Sequence, residues 1–122
     1  MDEPTLPTEV MRLINDSLPS VDHVEILFRI SRQGEATVEW LARDSHLETA
    51  TLTRVLQDLQ SAKLIVGDGG TYRVTQTPRD RAAVQEFAET YNARPVTLIR
   101  AVYSRPSPLR SFADAFRLRR ED

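Results

Sequence analysis

Thr49, Thr51, Thr53, Arg54 and Gln57 fall within nine residues and bring together side chains suited to reading another polar surface. Arginine presents a planar fork of donors that meets two acceptors at once, and glutamine offers a donor and an acceptor in one plane. A threonine hydroxyl can donate to a phosphate oxygen while its methyl group packs on apolar atoms. None of these groups is a nucleophile beside a base, so the run points to hydrogen-bonded recognition rather than bond making. Arg73, further along, adds an isolated cation.

Bond-making chemistry is poorly served elsewhere. The 122 residues contain no cysteine and only two histidines, His23 and His46. A Cys/His zinc site, a disulfide framework and a cysteine nucleophile are thereby excluded. No metal or cofactor is expected. The glycine cluster Gly67-Asp68-Gly69-Gly70 lies between two β-compatible runs, where glycine serves backbone angles rather than a phosphate group. An enzyme is not expected.

The chain is long enough for one domain, 1–122, with one core. No apolar run approaches the roughly 20 residues that span a bilayer, and Met1-Asp2-Glu3-Pro4 lacks the basic start of a secretory signal. A cytoplasmic protein with no membrane partner is the expectation. Sixteen basic and eighteen acidic side chains leave a net charge of −2, unevenly spread. Residues 1–66 carry six basic groups against eleven acids, and residues 67–122 carry ten against seven. In residues 94–120 seven arginines face Asp114 alone.

The elements that position these groups follow from periodicity and caps. Val10, Met11, Leu13 and Ile14 mark a helix from Thr8 to Asp16. Ser20 caps a second, with Asp22 in its first turn, a stripe of Val24, Leu27 and Phe28 extended by Val21 and Ile30, and an end at Gly34. Thr37 opens a short helix holding Val38, Trp40, Leu41 and Ala42, and Asp44-Ser45-His46 turns into a helix from Thr49 to Ala62. Leu64–Val66 and Thr71–Val74 around the glycines make a hairpin with Asp68 at its tip. Thr77-Pro78 caps a helix to Asn92 along Val84, Phe87, Ala88 and Tyr91, Pro95 starts one to Ser104, and Ser107-Pro108 starts the last. The fold class is mainly α with a small β-hairpin.

At about 100° per residue, Leu52, Val55, Leu56, Leu59 and Ala62 share an arc of about 120°, which must be the core side. The opposite face carries Ala50, Thr53, Arg54, Gln57 and Ser61, flanked by Thr49, Thr51 and Asp58. Glu48 at the helix start suits the dipole but repels phosphate, and Asp58 places a second acid at the edge of the face.

Leu41-Ala42, the three-residue turn with Leu47, Thr51-Leu52-Thr53-Arg54, Leu56, Leu59 and Leu64-Ile65 before the hairpin resemble the winged helix–turn–helix of MarR-like bacterial transcriptional regulators. The resemblance covers residues 37–74, with Lys63 standing where such proteins often have glycine before the Leu-Ile pair. It implies a winged helix–turn–helix over 37–76, flanked by N-terminal helices (8–33) and C-terminal helices (77–122). It also implies double-stranded DNA as partner, with the helix at 49–62 in the major groove. Arg54, Gln57 and Thr53 then read bases, while Thr49, Thr51 and Arg73 position the backbone.

The helix at 95–104 has two apolar sides, Val96, Ile99 and Tyr103 on one and Leu98, Ala101 and Val102 on the other. Such a helix must be covered twice. The last helix, with Phe112 and Phe116, covers one side; a second subunit covers the other, giving the expected homodimer, or the N-terminal helix packs there in a monomer. Leu98, Val102, Phe112 and Phe116 are then the partner-interface candidates, with Trp40 as an aromatic anchor. A function of another class is a winged-helix protein-interaction module with no direct sequence-specific DNA binding, docking a protein partner through Trp40 or the acidic surface.

Overall fold

The computed structural model describes residues 6–104. The order is α1 (Thr8–Ser17), α2 (Val21–Gln33), β1 (Glu35–Thr37), α3 (Val38–Ser45), α4 (Thr49–Ser61), β2 (Ile65–Asp68), β3 (Thr71–Val74), α5 (Pro78–Ala93) and α6 (Pro95–Ser104). Helices α1, α5 and α6 pack together, while α3, α4 and the sheet gather on α2, which also meets α5. One core therefore runs from Val10 and Ile14, through Phe87, Leu27 and Ile30, to Leu52 and Leu59.

Local chemistry sets the boundaries. The Ser20 side chain accepts from the His23 N–H to cap α2, and Thr37 does the same for α3 from the Trp40 N–H. Gly34 ends α2 at φ +80°, its N–H donating to the Ile30 carbonyl at 2.9 Å. Thr77 occupies the cap position of α5 with Pro78 after it but makes no side-chain cap bond. Its N–H donates to the Thr75 hydroxyl instead, and its own hydroxyl accepts from that group.

The exit from α4 is a Schellman motif. The Lys63 N–H donates to the Gln60 carbonyl at 2.9 Å and the Leu64 N–H to the Leu59 carbonyl at 3.0 Å. Lys63 takes φ +65°, the left-handed conformation glycine adopts more easily. Buried Leu59 and Leu64 supply the apolar contact that accompanies such a turn.

The sheet has three strands rather than the expected two. Its order is β1-β3-β2, all antiparallel, with Ala36 opposite Tyr72 and Gly67 opposite Tyr72 on the other side. Asp68 is not the tip of the hairpin: it pairs with Thr71, and Gly69 and Gly70, both at positive φ, form the turn. The Val38 N–H donates to the Gly70 carbonyl at 3.1 Å, tying that turn to the start of α3.

The partner-interface expectation for α6 is corrected. Leu98 and Val102 face α1 and α5 and are buried in the protein's own core, at 0% and 6% exposure. Val96, on the other side of the helix, is 64% exposed. Two apolar sides were legible in the helix, and its packing on α5 decides which one turns inward. Phe112 and Phe116, with the helix expected after Ser107, lie outside the described residues.

Candidate nucleic-acid interface

The buried side of α4 is Leu52, Val55, Leu56 and Leu59, the arc expected from helical geometry. Its outer face presents Thr49, Ala50, Thr53, Arg54 and Gln57 to solvent, with Thr51 half-buried at the margin. Among the described residues Arg54 has no hydrogen-bond or ion-pair partner. Its five N–H donors are therefore open to whatever approaches α4.

The two acids near this face differ. Glu48 is exposed at the N-cap position and makes no side-chain bond to the helix start, leaving the first N–H groups of α4 uncapped by it. Asp58 is occupied: its Oδ2 lies 2.9 Å from Nε2 of His23, which is buried on α2. Nδ1 of the same ring lies 2.7 Å from the Ser20 hydroxyl. This Ser20–His23–Asp58 chain is absent from the expectations drawn from sequence. Ser20 and His23 stand at the spacing of a capping box, a visible cue, but Asp58 is 35 residues away and carries no mark of its role.

Arg73 stands apart from the α4 group. It is exposed on β3, flanked by Glu35 of β1 and Val66 of β2. β2, not β3, packs on α4, and Arg73 lines a cleft with Ser31 and Gly34 at the end of α2 and with Arg81 and Gln85 of α5. The structure thus gathers Thr49, Thr53, Arg54 and Gln57 on one face and places Arg73 apart from it, on the central strand of the sheet.

Trp40 is half-buried rather than a free anchor. It lines a groove of about 360 Å³ with Phe28, Tyr91, Arg29 and Arg32. The rings of Phe28 and Tyr91 meet edge to face at 4.6 Å, and Arg32 lies over Phe28. Beside them Arg29 bonds Glu25 on its own helix and Asp44 of α3, while the Tyr91 hydroxyl donates to Glu25 at 2.9 Å. Burial lowers the pKa of Arg29, but its bonds to Asp44 and Glu25 outweigh that and raise it. Burial and the bond to Glu25 push the Tyr91 phenol up to about 12.

A family model describing the MarR family matches residues 20–66. Those residues run from the α2 cap Ser20, through α3 and α4, into β2, which takes in the whole face described above. The chain is a MarR-like winged-helix protein. The solved structure of BpsR from Bordetella bronchiseptica, whose DNA binding is regulated by 6-hydroxynicotinic acid, is similar at 20% identity and a TM-score of 0.51. The similarity covers 93% of this chain and 82% of that one and bears on the fold. No curated protein matches the chain. In this MarR-like fold α3 and α4 are the helix–turn–helix, α4 is the second helix of that pair, and β2 and β3 are the wing. No helix among the described residues is long and apolar enough to cross a membrane.

Proposed function

We propose that this chain is a DNA-binding transcriptional regulator that places α4 in the major groove. The observation that carries the reading is the outer face of α4, where Thr53, Arg54 and Gln57 are exposed and Arg54 is unpartnered within a segment matching the MarR family. Arg54 suits the paired acceptors of guanine, and Gln57 the donor–acceptor pair of adenine. Thr53 contacts a base edge or a thymine methyl. Thr49 and Thr51 at the start of α4, and Arg73 on the wing, hold phosphates. BpsR, similar in fold, is itself a DNA-binding protein.

A homodimer fits the same reading. Val96 is 64% exposed on α6, and a symmetric pair of subunits would cover that apolar surface. Two α4 helices would then read half-sites about one DNA turn apart.

The test is a titration against a duplex selected by the protein from a random-sequence pool, repeated over a range of salt. Phosphate contacts require log affinity to fall linearly with log salt. A protein that selects no sequence, or whose binding shows no salt dependence, is not a regulator of this kind.

A further inference from the structure

Asp58 follows Arg54 by four residues, so the two side chains are neighbours on the surface of α4, with Cβ atoms about 5–6 Å apart. An unengaged carboxylate there would pair with Arg54 and would repel an incoming phosphate. The structure shows no such pairing: Asp58 Oδ2 is held by His23 Nε2, and no Arg54–Asp58 bond forms. Asp58 also lines the shallow cleft with Leu18 and Pro19 of the α1–α2 connection, of which Arg54 is not a part.

The imidazole is itself fixed. The Ser20 oxygen accepts the His23 backbone N–H as the α2 cap and lies 2.7 Å from Nδ1. A carboxylate only accepts, so Nε2 donates to Asp58. The His23 side chain is 7% exposed, so its direction is set by packing as well as by these bonds. Among the described residues no other side-chain hydrogen bond joins α4 to a neighbouring element.

We propose that His23 is a positioning residue for Arg54: by holding the Asp58 carboxylate toward α2, it keeps the guanidinium free for the DNA. The inference rests on the DNA-reading function above. A residue that merely stabilised the fold would lose nothing recoverable at Asp58. A residue that restrains a competing carboxylate becomes dispensable once that charge is gone.

The experiment measures affinity for a duplex selected by the parent protein, at fixed salt and at a temperature where thermal melts show every variant folded. His23→Leu fills the buried site without a donor and should bind about tenfold more weakly than the parent. Asp58→Asn alone should stay within about threefold of the parent, and His23→Leu/Asp58→Asn should return to that range. If His23→Leu does not melt cooperatively, His23→Asn, too short to reach Asp58, carries the same comparison. A parent that selects no duplex overturns the function and this inference with it. A parent that selects one, with a His23 variant that binds equally well or is not restored by Asp58→Asn, overturns the inference alone.

Discussion

Two arginines set the two sides of this molecule against each other. Arg29, between α2, α3 and α5, is held by Glu25 and Asp44 and sits beside Tyr91, Phe28 and Trp40. Arg54, on α4, is held by nothing among the described residues. The same side chain serves as a clamp in one place and as an open donor in the other. The difference lies in the neighbours: carboxylates converge on Arg29 from two helices, whereas Asp58, one turn along α4 from Arg54, is bonded to His23. Charge balance alone therefore says little about recognition, because an acid that is already bonded does not compete for the ligand.

The sharpest break in the comparison comes from turning α4 itself. Leu59→Ala removes a fully buried side chain beneath the outer face and should cost ~2–5 kcal/mol of stability. Gln57→Ala, on the exposed side of the same helix, should change stability by no more than ~0.5 kcal/mol. Urea melts of the two variants measure the contrast. Next in size is the arginine pair. Arg29→Ala leaves Glu25 and Asp44 without their shared donor and should cost about 2 kcal/mol, whereas Arg54→Ala should be nearly silent in the same melts.

How much of this was legible in sequence depended on how local the cause was. The caps at Ser20, Thr37 and Gly34 and the buried arc of α4 are written in residues within a turn or two of each other. β1 was missed because Glu35-Ala36-Thr37 offers a single apolar residue, and its pairing with β3 is made 36 residues away. Ile26 and Thr90 were likewise not placed inside, since α2 and α5 are buried over more than one stripe. At the site, the exposed face of α4 could be drawn from helical geometry, but the engagement of Asp58 by His23 could not, because it spans two helices.

Lys63 is an intermediate case. It was visible as a departure from glycine, and the structure gives the consequence: a left-handed residue with a side chain at the α4 exit. Lys63→Gly should stabilise the protein by about 1 kcal/mol, read as a higher urea midpoint. A loss of stability instead would mean that the lysine side chain contributes more than its backbone strain costs.

The smallest expected effect sharpens the Arg29 side alone. Tyr91 rises from 10.0 to about 12 because it is buried and donates to Glu25. A raised folded value favours the protonated phenol, so its contribution is complete below about pH 10 and fades as the pH climbs toward about 12. Tyr91→Phe should therefore differ from the parent in urea midpoint at about pH 8, and the gap should narrow at about pH 11. A gap that widens at high pH would contradict the assigned direction.

The central claim is that α4 reads DNA through an unencumbered Arg54. The most direct measurement compares the parent with Arg54→Ala on the parent's selected duplex at matched salt, alongside variants of that duplex at each base pair. Arg54→Ala should lose ~1–3 kcal/mol on the selected duplex and relax preference at one position, with little change in melting. Equal affinity and unchanged preference would contradict the claim.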